Sequence, residues 1–435
     1  VSTTGSDAYD EYHALLARQD AMRLRQRLLS PGRSPSPAAG PARAAGAWEA
    51  GRAHDRGADQ RTIIRDLPLV TPFGDLITYL YEAMFEQHPY LRGLFPGSMD
   101  FQRAHLERAF WYLIEHLDRP DEVAAFCARL GRDHRKLGVR PVHYEVFERA
   151  LREALRRSAG ERWTEELEQA WLRMLRFAVA AMVDGADAAL AEPPYWNGTV
   201  TEHQRRRPDL AVLRVRTAET YPYRAGQYAR LQTPLLPHTW RPYSLACAPR
   251  PDGELEFHVR GTGRGGVSDA LVAHTRVGDP LRLGPAQGSM TLDDGLERDV
   301  LIVAGGTGWA TAKGLLEELA ARRPRGRGAH LFLGARTPDD LYDNAALAEL
   351  GNGRPWLRVV PVIAEGPGGA EEVSVSDAVA RHGDWSGHVA YVSGPPAMVT
   401  ATVRSLTAMN LPPDRIRHDP LGGTAPPPRP ASTGR

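Results

Sequence analysis

Cysteine is scarce in this chain: 435 residues contain only Cys127 and Cys247, far apart in the sequence. Two distant thiols exclude a disulfide framework and any Cys-based metal spacing, and make a reducing, cytoplasmic setting the expectation. Lysine is as scarce, with only Lys136 and Lys313, so the basic charge is carried by arginine. A charge imbalance is missing too. Lys+Arg number 54 and Asp+Glu 53, a net charge of +1, which points away from nucleic acid and other polyanionic partners. No apolar run approaches the roughly 20 residues of a membrane span. The first residues lack the basic-then-apolar order of a secretion signal. What remains is a hydrophobic content of 42%, enough for ordinary globular cores, on a chain long enough for two or three domains.

Hydrophobic periodicity divides the chain. Residues 8–29 have helical spacing but would form a marginal lone helix. Residues 30–59 are rich in Pro, Ala, Gly and Arg without apolar periodicity, so residues 1–60 are expected to be a disordered extension. From 61 to 195 apolar residues recur three and four apart, as in Leu76, Ile77, Leu80, Tyr81, Met84, Phe85 and again in Trp171, Met174, Leu175, Ala178, Met182. Pro89, Pro120 and Pro141 punctuate these helices, and an all-α domain is expected. Residues 196–297 show a period of two in 211–215, 228–231 and 255–259, the pattern of a small antiparallel barrel. Residues 298–423 alternate strand and helix, with strands expected at 300–304, 330–334, 357–363 and 389–393. That alternation predicts a doubly wound parallel α/β sheet. A Pro-rich tail, 424–435, is expected to be disordered.

Four motifs in the C-terminal half carry chemistry. The strand Val300–Ala304 runs into Gly305-Gly306-Thr307-Gly308 and a helix from Trp309. Such a turn lets backbone approach a pyrophosphate, although any tight strand-to-helix junction also uses glycine. Upstream stand Arg241-Pro242-Tyr243-Ser244 and Gly265-Gly266-Val267-Ser268; downstream stands Ser393-Gly394-Pro395-Pro396. In this order and spacing they resemble the ferredoxin–NADP⁺ reductase-like flavoproteins over about residues 205–421. The resemblance implies FAD and NAD(P)H. Arg241 would meet the FAD phosphate, with Pro242 between it and Tyr243, which packs along the flavin or ribityl chain. Ser244 would bond near the redox-active ring nitrogen, and Tyr228 would pack on the adenine side. Gly265, Gly266, Val267 and Ser268 would give backbone N–H groups to the pyrophosphate. Gly306, Thr307, Gly308 and Trp309 would face the nicotinamide nucleotide, and Gly394, Pro395 and Pro396 the nicotinamide side. The chain departs from the family at four places: Thr311 where proline is common, Trp309 for a smaller aliphatic, Ser393 for cysteine, and Leu421 where many members place an aromatic over the flavin. Arg336 either meets a 2′-phosphate or is a surface arginine, which leaves NADH and NADPH both open.

The helical half holds Tyr81 in Tyr-Glu-Ala-Met-Phe, Phe95, Gln102 and Leu106 in Phe-Gln-Arg-Ala-His-Leu, and His134 followed by Gly138, Pro141 and Tyr144. This order is similar to the globin domain of flavohaemoglobins. The resemblance implies haem b, with His134 as the iron ligand, Tyr144 beside it on the proximal side, Tyr81 and Gln102 as distal hydrogen-bonding groups, Leu106 narrowing the ligand pocket and Phe95 wedging the haem. The family's glutamate in the last helix is replaced by Ala186. The implied activity is nitric oxide dioxygenation, with electrons passing from NAD(P)H to FAD to haem and with O2 and nitric oxide as small-molecule ligands. A gas sensor or carrier with its own reductase, or a flavin reductase for an external acceptor, are the alternatives. A monomer is expected.

Overall fold

The computed structural model of the chain describes residues 55–419 except 264, 323–326, 353 and 365–373. The expectations for residues 1–54, for Leu421 and for the C-terminal tail lie outside the described residues. The chain divides into two compact units between Glu192 and Pro193.

The first unit is helical: α1 Arg56–Asp66, α2 Phe73–Gln87, α3 Asp100–His116, α4 Pro120–His134, α5 Pro141–Ala159 and α6 Glu165–Ala188. Proline opens α4 and α5 at the position where its missing N–H costs nothing. Thr164 caps α6 by accepting from the Leu167 N–H at 3.2 Å. Helix α2 buries Phe73, Leu76, Ile77, Leu80, Tyr81 and Met84, one face at the three- and four-residue spacing read from the sequence. At the centre, Trp171 meets Phe73 and Phe110 edge-on, with ring centroids 6.0 and 5.4 Å away. Edge-to-face aromatic pairs contribute about 0.5–1.5 kcal/mol each beyond their buried area.

The start of this unit corrects the sequence reading. Residues up to 60 were expected to be disordered, yet helix α1 begins at Arg56 behind an Asp55 cap. Its anchor is Asp59, buried and bound by Arg173 of α6 through Nη2 at 2.6 Å and Nε at 3.1 Å. An ion pair between residues 114 positions apart leaves no mark on local hydrophobic periodicity.

Helices α4 and α6 cross backbone against backbone. A Cβ built at Gly131 would stand 1.9 Å from the Met182 carbonyl oxygen, and one at Gly185 would stand 2.1 Å from that of Ala128. Neither contact can relax by a side-chain rotation, so both positions require glycine. Gly131→Ala is expected to force the helices apart and lower stability by about 1–3 kcal/mol. Chemical unfolding followed by tryptophan fluorescence measures this, and an unchanged midpoint would contradict the crossing.

The second unit has two sheets. In the first, β1 Trp196–Arg207, β2 Leu210–Thr217, β3 Tyr228–Gln232, β4 Arg241–Ser244, β5 Glu254–Arg260 and β6 Pro280–Leu283 are ordered β4-β3-β6-β1-β2-β5, with antiparallel pairing. A bridge between Leu245 and Phe257 joins the two edges, and the Ala246 N–H donates to the Glu256 carbonyl at 2.8 Å. The sheet therefore closes as the expected barrel, and α7 Val267–Ala273 follows β5. In the second, β7 Asp299–Gly305, β8 Ala329–Ala335, β9 Leu357–Ile363, β10 His388–Ser393 and β11 Ile416–Arg417 form a parallel sheet ordered β11-β10-β7-β8-β9. It carries α8 Trp309–Arg322, α9 Asn344–Gly351, α10 Val375–His382 and α11 Pro396–Ala408. The chain runs outward from β7 through β9 and returns on the other side at β10. The carboxyl ends of β7 and β10 thus form the topological switch point where such sheets bind ligands.

At the opposite end of this sheet, His330, His382 and His388 surround Trp385, with centroids 5.2, 6.2 and 4.9 Å from the indole. Burial holds the His330 and His388 imidazoles below their ordinary range. His388, His382 and Arg358 reinforce this at His330, while Asp299 opposes it at both rings and Asp384 at His388. The unfolded chain therefore takes up protons that the folded chain refuses. Their contribution to stability is complete above the free-histidine pKa of about 6.5 and is lost as pH falls through the lower folded values. The thermal midpoint is expected to drop between pH 7.5 and pH 5. His388→Phe, which keeps the ring packing, should flatten that dependence; an equally steep drop in the variant would refute the assignment.

Candidate active site

In the helical unit the candidate residues include an imidazole at the end of α4 and an aromatic cluster that begins on α2. His134 ends α4, and its Nδ1 lies 2.8 Å from the Leu130 carbonyl one turn back. That carbonyl can only accept, so the proton sits on Nδ1 and Nε2 is the lone-pair nitrogen. Burial lowers the imidazole's pKa, against the Leu130 carbonyl and Asp133, which favours the neutral ligating form. Tyr81, Phe85 and Phe95 form an aromatic cluster. The Tyr81 and Phe85 rings stack at 5.8 Å, and Phe95 stands edge-on at 5.6 and 5.4 Å. Burial pushes the Tyr81 phenol up to about 12, so it remains a hydrogen-bond donor at neutral pH.

Gln102 Oε1 is buried without a hydrogen-bond partner among the described residues, and Leu106, one turn on, packs against the core of this unit. An orphaned amide oxygen is the kind of group a bound molecule completes. Tyr144 is half-buried near Cys127, with its phenol also raised to about 12 by burial. Ala186 follows Gly185, where the last helix rests on α4, so backbone packing braces the His134 helix where the family places a carboxylate. The lone-pair nitrogen, the aromatic wall and the orphaned amide fit haem.

In the barrel, β3 pairs with β4 so that Tyr228 lies opposite Ser244 and Leu231 opposite Arg241. Alternation puts Ser244 and Tyr228 on one face, and Tyr243 and Arg241 on the other, with Pro242 between. Arg241 donates to the Trp240 carbonyl at 2.9 Å. Ser268 and Asp269 lie close enough to the buried Tyr243 phenol to act on its charge, so two motifs separated in sequence meet. The loop before α7 is folded around Asp269, whose carboxylate accepts from the N–H groups of Gly263 at 2.8 Å and Gly266 at 3.1 Å. This corrects one expectation: the Gly266 N–H is spent on Asp269. Gly265 turns with φ +69°, and the first-turn N–H groups of Val267 and Ser268 remain the donors for a phosphate. The residues fit FAD.

At the switch point, Gly306 turns with φ +55°. A Cβ at Gly308 would stand 2.3 Å from the Ser393 carbonyl oxygen. Gly308 is thus needed for the close approach of the two loops whether or not it also meets a ligand, and Thr307 and Gly394-Pro395-Pro396 flank that contact. Ser393 donates its hydroxyl proton to the Gly308 carbonyl at 2.9 Å. A pocket beside the turn is lined by Gly306, Trp309, Gly334, Asp340, Tyr342 and Asp343. Trp309 is 2% exposed, and its indole N–H donates to Asp343 at 2.9 Å, so it forms the buried wall of that pocket.

Sequence reasoning missed the seam between barrel and parallel sheet. Glu256 and His258, two apart on β5, share one face, and the Lys313 ammonium of α8 reaches Glu256. His258 in turn meets the Tyr342 hydroxyl at 2.9 Å. Burial raises the Glu256 pKa, but the hydrogen bond from His258 and the charge of Lys313 outweigh it and hold the carboxyl well below its usual range. The Arg260 guanidinium, at the end of β5, stands near Gly306 with Nε and Nη2 buried and without hydrogen-bond partners among the described residues. Its carboxylate neighbours are Asp209 at 3.4 Å and Asp340 at 3.8 Å. The available signal was the charged pair Glu256 and His258 in a strand otherwise read as apolar alternation. Lys313→Met would take from Glu256 its buried cation, leaving the more distant Arg214 and Arg250, and is expected to cost about 3 kcal/mol, largely recovered by adding Glu256→Gln. Denaturation followed by flavin fluorescence measures both variants; a single variant as stable as the parent would refute the pair's role.

A globin family model matches residues 78–182, an oxidoreductase FAD-binding domain 197–291, and an oxidoreductase NAD-binding domain 302–404. The chain is 33% identical over 221 residues to the reductase component of propane 2-monooxygenase from Mycolicibacterium goodii, which takes in 48% of this chain and 63% of that protein. It therefore spans less than two thirds of that relative. It is 30% identical over 277 residues to the flavohemoprotein of Bordetella pertussis, covering 59% of this chain and 69% of that protein. The flavohemoglobin of Malassezia yamatoensis, solved with bound FAD and heme, shares the fold with a TM-score of 0.67 at 17% identity, over 82% of this chain and 97% of that one. The chain belongs to the flavohaemoglobin family of NAD(P)H-dependent oxidoreductases, whose globin, FAD-binding and NAD-binding domains it carries in that order.

Proposed function

We propose that the chain is a nitric oxide dioxygenase that draws electrons from NAD(P)H. The observation that carries the reading is a globin domain with a lone-pair imidazole, fused to a reductase in one chain. Haem, FAD and NAD(P)H, when bound, supply the electron transfer and oxygen chemistry that convert nitric oxide and O2 to nitrate.

The chain's own residues do the rest. The Leu130 carbonyl fixes the His134 ring so that Nε2 is the ligand. Tyr81, protonated at neutral pH, can donate a hydrogen bond to a small polar ligand, and the Gln102 amide, which donates only through its nitrogen, is the second polar group. Leu106 and Phe95 keep that space apolar and narrow. In the reductase half, the Tyr243 phenol lies beside Ser268, which brings the two flavin motifs to one place. Arg260, with buried donors beside Gly306, offers positive charge to a nucleotide phosphate.

The test is NADH- or NADPH-dependent consumption of nitric oxide under air, with an absorption spectrum taken before and after anaerobic reduction. A Soret band beside a flavin shoulder, both changing on reduction, and steady consumption are expected. Tyr81→Phe should slow consumption about tenfold, the effect of losing one hydrogen bond of roughly 1.5 kcal/mol. Full haem and flavin loading without consumption would reject the reading. Absence of a Soret band would instead favour a flavin reductase for an external acceptor, a role suggested by the identity of this half to a monooxygenase reductase component.

A further inference from the structure

Thr311 stands where the reductase family commonly has proline, and it is 3% exposed. Its hydroxyl donates to Ser244 Oγ at 2.9 Å. A threonine hydroxyl has one proton, and here it is spent on Ser244. Ser244 therefore accepts on that side, and its own proton must point elsewhere. Proline could do none of this, having no side-chain donor.

The helix carrying Thr311 is locked against the strand carrying Ser244. A Cβ at Gly314 would stand 3.0 Å from the Leu245 carbonyl oxygen, so the helix rests on the backbone just after Ser244. Lys313 pairs with Glu256, and Glu317 accepts from the Ala248 N–H at 3.1 Å. Thr311 thus cannot drift from Ser244 without breaking a buried ion pair. Ser393 offers the contrast. It lies at the switch point, and its proton is committed to the Gly308 carbonyl. Of the two, Ser244 alone has its proton directed away from this seam.

We propose that Thr311 is a positioning residue that fixes the Ser244 hydroxyl as a donor toward the flavin. The proposal rests on reading Ser244 as a flavin contact near the redox-active ring nitrogen. A donor aligned in advance at an acceptor nitrogen of the oxidised ring draws electron density from the ring and makes it the better hydride and electron acceptor.

The experiment uses the full chain loaded with FAD. Thr311→Val keeps the shape and removes the donor; Thr311→Ser restores it; Thr311→Ala serves if valine disturbs folding. Two quantities are read: the midpoint potential of the flavin, and the rate of its anaerobic reduction by NADH in stopped flow. Loss of one neutral hydrogen bond predicts a rate about three- to tenfold lower and a more negative potential in Thr311→Val, with both recovered in Thr311→Ser. In a Ser244→Ala background, Thr311→Val should change neither quantity further, because the two residues act as one unit. Parental values in Thr311→Val and Thr311→Ala, with both quantities lowered in Ser244→Ala, would overturn the role of Thr311 alone. Parental values in Ser244→Ala would overturn the flavin reading of Ser244 and the proposal with it.

Discussion

The reductase half depends on one buried contact, the Lys313 ammonium against the Glu256 carboxylate. Two groups with so little access to water are stable there only because each completes the other and because His258, Arg250 and Arg214 stand close to the same carboxylate. A contact of this kind is directional in a way that apolar packing is not. It sets the register of helix α8 on the barrel, and through that register it sets where Thr311, Gly314 and Glu317 fall along the chain from Ser244 to Ala248. The same helix begins at the glycine turn, so the candidate nucleotide turn and the candidate flavin strand are held by one rigid element.

The helical half achieves placement differently. Its candidate iron ligand sits at the end of a helix that rests directly on the backbone of the last helix through Gly131 and Gly185. Two glycines remove the layer of side chains that normally separates crossing helices, so the His134 helix has little freedom to tilt. The imidazole is then oriented by the Leu130 carbonyl of its own helix. Where the family has a carboxylate in the last helix, this chain has Ala186 beside the crossing. Orientation of the ring is thus supplied by packing and a neutral acceptor.

Much of this was legible from the residues. The helical period of Leu76 to Met84, the alternation in β2 and β5, and the glycine turn after β7 each report a local rule, since side chains three or four apart share a helix face and those two apart share a strand face. Departures were less legible. Helix α1 hid inside an Ala-, Gly- and Arg-rich stretch because its anchor, Asp59, is bound by an arginine far along the chain. The Gly266 N–H could not be known to be occupied until Asp269 was seen folded back onto it. Trp309 could be read as a wall of the nucleotide site, but its partner Asp343 could not.

By itself the sequence determined the order of the three domains, the motifs in each and the residue types able to hold haem, FAD and a nicotinamide nucleotide, because these follow from local periodicity and from short segments that act through their own backbone. Only the tertiary structure decided which polar groups are already satisfied and which still need a partner. Among the described residues Gln102 and Arg260 retain buried atoms without hydrogen bonds; Ser393 and Gly266 do not have their protons to give; and Thr311 and Lys313 became functional candidates only when α8 met the barrel. The physical reason is that hydrogen bonding and burial are properties of distances between residues remote in the chain, and those distances exist only after folding.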